Sequence, residues 1–265
     1  MLDLTPTTEL LSIFSGSLVG FSLGLIGGGG SILAVPLLAY LVGLSPPHAA
    51  IGTSALAVAA NALANLWGHG RAGKVSWRCA GVFAAAGVAG ALAGSTLGKM
   101  VDGQRLIGLF SIVMVATGIA MLRQRQETEE HDIRLTRETA GRLLPRLMGI
   151  GLATGLMAGF FGIGGGFLIV PGLILATGMP MMNAVASSLV GVAAFGFTTA
   201  ANYALSGLID WPVAGLFLAG GIVGGMVGGR LSRHIATRRG LLQKLFAGVI
   251  FVVAAYVAAK AFGIV

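Results

Sequence analysis

Backbone N–H groups are the chemistry that this sequence makes available in two places. Around Gly27 the chain reads GLIGGGGSILAVP, and around Gly162 it reads GFFGIGGGFLIVP. Clustered glycines break a helix. A helix that restarts after them begins with N–H groups that have no intrahelical acceptor, at the positive end of its dipole. Such an end can bind a small anion without a charged side chain, so the two clusters are the first candidates for a binding site.

The two clusters are copies of one signature, separated by 135 positions. The matched residues of the first copy are Gly20, Gly24, Gly27, Gly29, Gly30 and Pro36, and those of the second are Gly155, Gly159, Gly162, Gly164, Gly165 and Pro171. At a separation of 134 positions the match continues with Thr53, Ser54, Gly73, Trp77, Gly87, Gly90 and Gly94, which pair with Ser187, Ser188, Gly207, Trp211, Gly221, Gly224 and Gly228. This pattern predicts an internal repeat over nearly all of both halves. We interpret the glycines spaced three or four apart as close helix packing.

The composition indicates a membrane protein. The chain has 265 residues, of which 55% are hydrophobic and 10% charged, with a mean hydropathy of +0.90, whereas a soluble domain is nearer a quarter charged. Apolar runs fall at about 8–26, 31–43, 49–68, 79–98, 106–122, 147–163, 167–178, 183–204, 212–229 and 245–263. The equivalent runs 31–43 and 167–178 are shorter than the ~20 residues that a bilayer requires. We therefore predict an all-α integral membrane protein of 8 to 10 spans, with these two segments either spanning or re-entering.

Loop charges predict the orientation. The loop 69–78 carries Arg71, Lys74 and Arg78, whereas its repeat equivalent 205–211 carries Asp210 and no Lys or Arg. In the other pair of equivalent loops the basic residues are concentrated in the second half: loop 230–244 is more basic than loop 99–105. Under the positive-inside rule this bias predicts two inverted-topology repeats of about five helical segments each, with both termini external. The predicted units are a first repeat at 1–122, a cytoplasmic linker at 123–146 and a second repeat at 147–265.

The same residues exclude several classes of function. The nine carboxylates fall at the N-terminus, in the linker or in loops, which argues against a metal-cation transporter and a carboxylate-based proton pump. The chain has no HExxH, Walker A or GxSxG sequence and one cysteine, Cys79. We therefore expect no enzymatic activity, no metal site and no cofactor. The net charge of +8 is explained by topology and lipid headgroups rather than by nucleic acid.

The candidate substrate-binding residues combine the glycine clusters with polar residues near them. They are Gly27, Gly28, Gly29, Gly30, Ser31, Thr53, Ser54, Asn65, Gly162, Gly164, Gly165, Gly166, Ser187, Ser188 and Asn202. We expect segments 29–33 and 164–168 to be extended and to line a cavity, with helices beginning near Val35 and Val170. Hydroxyl groups often bond their own helix instead, and the two asparagines either bind the substrate or hold helices together. Asn61, Thr198 and Thr199 lie deeper in the spans.

The doubled signature, the Thr53-Ser54 and Ser187-Ser188 pairs, and the runs GVAGALAGSTLG and GIVGGMVGGRLS resemble the TauE/SafE family of sulfite exporters. The resemblance covers almost the whole chain. It implies a permease of the bacterial inner membrane that moves sulfur oxyanions, such as sulfite or organosulfonates, usually outward. The positions that match the family pattern are Gly27–Ser31, Thr53 and Ser54 in the first half, and Gly162–Gly166, Ser187 and Ser188 in the second. The first copy reads GGGG where the second reads GIGGG, so the two half-sites differ chemically.

The leading hypothesis is a secondary transporter that exports a small anion by alternating access of the two repeats around a midplane site. An anion channel would show flux without saturation or exchange. A membrane assembly subunit without transport is the alternative from another class. The partners expected are a sulfur oxyanion and membrane lipid, and the sequence leaves a homo-oligomer open.

Overall fold

The computed structural model describes residues 5–71, 73, 75–123, 137–162, 164–234 and 239–261, and all regular structure within these ranges is helical. The first half contains α1 (Pro6–Ile26), a 3₁₀-helix (Gly27–Leu33), α2 (Ala34–Pro36), a π-helix (Leu37–Leu41), α3 (Pro47–Arg71), α4 (Trp77–Met100) and α5 (Gly103–Arg123). The second half contains α6 (Arg137–Phe161), α7 (Gly166–Thr177), α8 (Met181–Ala204), α9 (Trp211–His234) and α10 (Arg239–Ala261). Each of the ten predicted apolar runs coincides with a helical segment, so the all-helical class is confirmed.

Within the described ranges, six helices are long and apolar enough to cross a membrane. They contain the stretches Pro6–Leu25, Pro47–Gly68, Trp77–Met100, Thr139–Phe161, Met181–Ala204 and Trp211–Leu231. The described parts of the remaining apolar helices are shorter, and α7 has only 12 residues. Helix α6 begins inside the predicted linker 123–146, so the end of that linker is helical. The linker residues 124–136 lie outside the described ranges.

Helices α3 and α8, which are repeat equivalents, form the centre of the molecule. Their apolar stretches are 67% buried, against 39–44% in the other four long helices. Gly52 packs against Tyr203, and Gly196 packs against Ala59 with a Cβ position 2.8 Å from that methyl group. Because the contact moves back from Tyr203 to Gly196 in α8 as it moves forward from Gly52 to Ala59 in α3, the two helices run antiparallel.

Glycines bring the backbones of other helix pairs into direct contact. A Cβ atom at Gly20 in α1 would fall on the carbonyl of Gly221 in α9. A Cβ atom at Gly155 in α6 would fall on the carbonyl of Gly87 in α4. The two contacts are equivalent under the repeat, because Gly20 corresponds to Gly155 and Gly221 corresponds to Gly87. Each contact joins one helix of the first half to one helix of the second. The prediction that these glycines serve helix packing is confirmed.

The exchange of partners continues along both interfaces. Gly224 and Gly228 of α9 meet the carbonyls of Ser17 and Phe21, and their equivalents Gly90 and Gly94 of α4 meet those of Leu152 and Leu156. In both pairs the contacts advance in the same direction along the two chains, so α1 runs parallel to α9 and α6 runs parallel to α4. Reciprocal contacts of this kind are the property of a two-fold symmetric interface.

The direction of α1 also fixes the path of the segment that follows it. Thr53 and Asn65 of α3 contact the beginning and middle of α9, at Asp210 and Gly225. Helices α3, α9 and α1 are therefore parallel. The segment between α1 and α3, which holds the 3₁₀-helix, α2 and the π-helix, must return toward the end at which α1 begins.

We predict that Gly155→Ala lowers the unfolding temperature in detergent, because its methyl group forces α6 away from the Gly87 carbonyl of α4. Such overpacking costs about 1–3 kcal/mol. Gly149→Ala on the same helix is the matched control, since a Cβ atom there has nothing within 4 Å, and we expect it to unfold within ~1 °C of wild type. Equal unfolding temperatures for the two variants would contradict the close-packing role.

Candidate functional site

The second glycine signature forms a tight left-handed turn between α6 and α7. Gly162, Gly164 and Gly165 have φ angles of 68°, 65° and 67°. Residues with a Cβ atom adopt this region at a cost of roughly 1–2 kcal/mol each, so three such positions explain why the sequence holds glycine there. The turn allows α7 to begin at Gly166, only five positions after α6 ends at Phe161.

The start of α7 is a buried helix N-terminus. The Gly165 carbonyl accepts hydrogen bonds from the N–H groups of Leu168 and Ile169 at 2.9 and 3.0 Å. The first N–H groups of any helix lack an acceptor inside the helix itself, and residues 164–167, at the start of α7, are all buried. A buried helix end of this kind needs a partner, and the positive end of the helix dipole favours a negative one.

The turn lies where the two halves meet. A Cβ atom at Gly164 would lie 3.2 Å from Val58 Cγ1 in α3 and 3.4 Å from Val192 Cγ1 in α8. These two valines are repeat equivalents, so Gly164 sits close to the approximate two-fold axis. The Ser54 hydroxyl of α3 donates to the Gly162 carbonyl at 3.4 Å and to the Ile51 carbonyl at 2.8 Å.

The first signature has a different local structure. Residues 27–33 form a 3₁₀-helix, and this helix packs against α7. Gly30 lies against α1, where the Ser22 hydroxyl donates to its carbonyl at 3.4 Å. Ser31 is fully buried. The two signatures therefore meet each other, although the GGGG copy and the GIGGG copy fold differently.

The prediction that residues 29–33 and 164–168 form extended segments is wrong. Residues 29–33 are 3₁₀-helical, and α7 begins at Gly166 rather than near Val170. Ser31 to Leu33 and Gly164 to Phe167 are buried instead of lining an open cavity. The physical reason in the second half is the run of left-handed glycines, which completes the reversal within a few residues and lets the helix restart at once.

Thr53 and Ser187 occupy equivalent positions and make equivalent contacts. Thr53 Oγ1 accepts a hydrogen bond from the Asp210 N–H at 3.0 Å, and Ser187 Oγ accepts one from the Ser76 N–H at 2.9 Å. Asp210 and Ser76 are the residues that precede α9 and α4. Each hydroxyl thus ties the start of a neighbouring helix to the centre, and its contact with substrate stays a prediction.

Ser188 donates to the carbonyl of Val185 at 2.8 Å, within α8. This bond repeats the one between Ser54 and Ile51 in α3. Back-bonding of this kind satisfies a hydroxyl in a dry environment. Only Ser54 makes the additional contact with the glycine turn, so the structure brings Ser54, and not Ser188, to the α6–α7 break.

Asn202 belongs to a hydrogen-bond network at the end of α8, away from the glycine turn. Lys99 Nζ donates to its carbonyl at 3.0 Å and to its Oδ1 at 2.8 Å, and also to Ser206 Oγ at 2.9 Å. Asn202 Nδ2 donates to Ser95 Oγ at 2.7 Å and to Thr96 Oγ1 at 3.0 Å. These contacts join α4 to α8, as expected for an asparagine that holds helices together. The role of Lys99 is not visible in the sequence, because its partners come from a distant helix.

Asn65 lies on α3 against α9. Its Nδ2 donates to the Asn61 carbonyl at 2.9 Å, and a Cβ atom at Gly225 would lie 3.1 Å from that nitrogen. Asn61 is itself fully buried. In the sequence Asn61 is one of the deeper polar residues of the spans and is not among the candidate substrate-binding residues. The structure puts it on the same interface.

A small cavity of about 80 Å³ lies near the start of α3, between residues 44–49 and the α8–α9 connection at 207–210. Ligand pockets are usually about 300 Å³ or larger. The carboxylate of Asp210, which accepts a hydrogen bond from the Val213 N–H at 3.2 Å, contributes negative charge to its wall. This cavity does not suit an anion.

The described residues contain no group of three or more His, Cys, Asp or Glu side chains that could hold a metal ion. The one cysteine, Cys79, is buried. The chemistry of the central region is therefore that of neutral donors and acceptors, from backbone amides, hydroxyls and asparagine side chains.

Comparison with known proteins gives the family. The model of the family described as "Sulfite exporter TauE/SafE" matches residues 12–257. A probable membrane transporter protein of Xylella fastidiosa (strain 9a5c) is 48% identical over 257 residues, which cover 96% of each chain. The probable membrane transporter protein YunE of Bacillus subtilis is 26% identical over 246 residues, which cover 86% of this chain and 90% of the relative.

A third relative comes from an archaeon. The probable membrane transporter protein MJ0441 of Methanocaldococcus jannaschii is 31% identical over 189 residues, which cover 69% of this chain and 67% of the relative. No solved structure matches the chain. The family match extends across both halves and includes both glycine signatures. This chain therefore belongs to the sulfite exporter TauE/SafE family of membrane transporters.

Proposed function

We propose that this membrane transporter exports a small anion, sulfite or an organosulfonate, across a bacterial inner membrane. The family description names sulfite, and the central region offers neutral hydrogen-bond donors. The proposed mechanism is secondary transport by alternating access, in which the two halves rearrange around a site at the α6–α7 break. In transporters with internal repeats, substrates bind near the midplane at such discontinuous helices.

The observation that carries the proposal is the buried start of α7. The first N–H groups of a helix have no acceptor within that helix, and α7 begins with the buried residues Gly166 and Phe167 directly after a turn of left-handed glycines. In a water-free environment an unsatisfied N–H group is costly, and an anion that accepts from several of them removes this cost. The donors are fixed by left-handed glycines, so they need little reorganisation when the anion binds.

Neutral donors also favour release of the anion. A lysine or arginine in the site would hold an anion by full charge, whereas a helix end carries only about half a charge. A carboxylate would repel it, and the described carboxylates of the membrane region, Glu9, Asp102 and Asp210, lie at the starts of helices. The proposed site therefore binds an anion strongly enough for selection and weakly enough for turnover.

The packing supports the inverted arrangement. The equivalent helices α3 and α8 run antiparallel, and so do α5 and α10, where Gly108 meets Ala261 and Gly118 meets Phe251. Helix α7 is about 18 Å long, which is less than the ~30 Å hydrocarbon core. We propose that α6 and α7 form a re-entrant hairpin, and that α1 and the segment after it form the equivalent one.

The first test is flux of sulfite into proteoliposomes that contain the purified protein, with and without a pH gradient. We expect saturable uptake that is competed by sulfoacetate, because both present an oxyanion to the same donors, while sulfate and chloride test selectivity. Flux that rises linearly with sulfite concentration would indicate a channel. Correctly folded protein without flux of any of these anions would contradict transport of this substrate class.

Gly164→Leu tests the proposed site. The side chain would be strained at a φ of 65° and would enter the space between Val58 and Val192. We expect it to reduce sulfite flux at least tenfold, with Gly164→Ala giving a smaller loss. Gly207→Leu is the matched control, because it has a φ of 68° but nothing within 4 Å. Normal flux through Gly164→Leu would rule out a site at this turn.

The topology is tested with reporter fusions at each end of the chain. We expect both termini to be external, since the inverted repeats have an odd number of crossings each under the positive-inside rule. An alkaline phosphatase fusion should be active at either terminus, and a green fluorescent protein fusion should be dark. A bright fluorescent fusion at one terminus would contradict this topology.

A further inference from the structure

One face of α3 begins at the glycine turn, residues 162–165, and continues deeper into the protein. The residues of this face are spaced three and four apart, which places them on one side of a helix. They are Ile51, Ser54, Val58, Asn61 and Asn65. The first three contact the turn at Gly162 or Gly164. Asn61 follows Val58 by three residues, so it lies about 4.5 Å farther along the helix axis and about 60° around it.

The side chain of Asn61 is fully buried and has no hydrogen-bond partner among the described residues. Its exposed fraction is 0%. Neither Nδ2 nor Oδ1 forms a hydrogen bond, and the amide of Asn65 donates to the Asn61 backbone carbonyl instead. A carboxamide that is buried without partners destabilises a protein. A residue of this kind is expected to be retained for a ligand rather than for packing.

The repeat equivalent of Asn61 shows what packing alone requires. Phe195 occupies this position in α8, where its ring lies over Gly87 and stacks on Phe83 with the ring centroids 6.1 Å apart. Asn61 lies in the same way over Gly221, the equivalent of Gly87. An apolar residue therefore fills the position in one half. An apolar residue could also fill the position of Asn61 in the other half, so packing alone does not explain the amide.

We infer that the side chain of Asn61 is a substrate-binding group, whose Nδ2–H donates to an oxygen of the transported oxyanion next to the amides of α7. This inference rests on the proposed function and adds a specific side chain to the site. Along α3, Asn61 lies about one helical turn from Val58, which contacts the Gly164 turn, and its carboxamide faces Gly221 of α9. The carboxamide supplies a second neutral donor from the opposite half of the protein, so both halves contact the substrate.

The proposed contact of the oxyanion with Asn61 and the amides of α7 lies near the approximate two-fold axis, and this position gives it a role in transport. The donors of α7 belong to the second half, and Asn61 belongs to the first. Motion of one half relative to the other changes the distance between these donors. Binding of an oxyanion between them therefore couples substrate occupancy to the arrangement of the halves.

The test measures stability and transport of Asn61→Leu together. Leucine has a similar size and removes the unsatisfied amide, so we expect the unfolding temperature to rise by about 2–4 °C. We expect the KM for sulfite to rise at least tenfold. Sulfite should stabilise the wild type against heat, because it binds only the folded protein, and this stabilisation should be lost in the variant. A purely structural amide would not produce this combination of greater stability and lost binding.

Two further variants control the result. Phe195→Leu loses ring packing in the equivalent position, and we expect a lower unfolding temperature with the KM for sulfite within threefold of wild type. Asn61→Ser keeps a hydroxyl donor and should retain measurable stabilisation by sulfite. An unchanged KM and unchanged sulfite stabilisation in Asn61→Leu would overturn this inference alone. A wild type that neither transports sulfite nor is stabilised by it would overturn the proposed function and this inference with it.

Discussion

Hydrocarbon offers no hydrogen-bond partner to a peptide group, and this constraint governs the centre of the molecule. A helix satisfies its own backbone, so a break such as that at Gly162–Gly165 is tolerated only inside protein. The break is enclosed by α3 and α8, the two most buried long helices. The start of α7, at Gly166 and Phe167, is buried there, and the first N–H groups of a helix have no acceptor within the helix. In the proposed mechanism, the protein shields these donors from lipid and the transported anion binds them.

Close packing of glycines is what makes this enclosure stable. Apolar surface gains little by leaving lipid for another apolar surface, so helices in a membrane associate through direct backbone contact and hydrogen bonds. Gly20 on Gly221 and Gly155 on Gly87 provide such contacts in two equivalent interfaces. The partners come from opposite halves in both cases. The halves therefore hold each other together at the periphery, while the centre between α3 and α8 carries the polar groups.

The sequence predicted the helical segments and the packing glycines, because hydrophobic run length and small-residue spacing are local properties. It did not predict the conformation of residues 29–33, since a glycine cluster is compatible with an extended chain, a 3₁₀-helix or a left-handed turn. The partners of Thr53, Ser187 and Asn202 depend on contacts between distant helices. Asn61 could have been found from the repeat, because its equivalent is Phe195 and an amide opposite an aromatic ring is a chemical difference at one structural position.

This difference bears on how a nearly symmetric protein can treat one substrate. In a perfectly two-fold site, both halves would offer the same donors, and the two end states of alternating access would bind an anion equally. Here the GGGG copy forms a 3₁₀-helix whereas the GIGGG copy forms a left-handed turn. Asn61 faces Gly221 whereas Phe195 faces Gly87. A ligand can shift a conformational equilibrium only by its difference in affinity for the two states. In the proposed alternating-access mechanism, the asymmetry of the polar groups would supply such a difference.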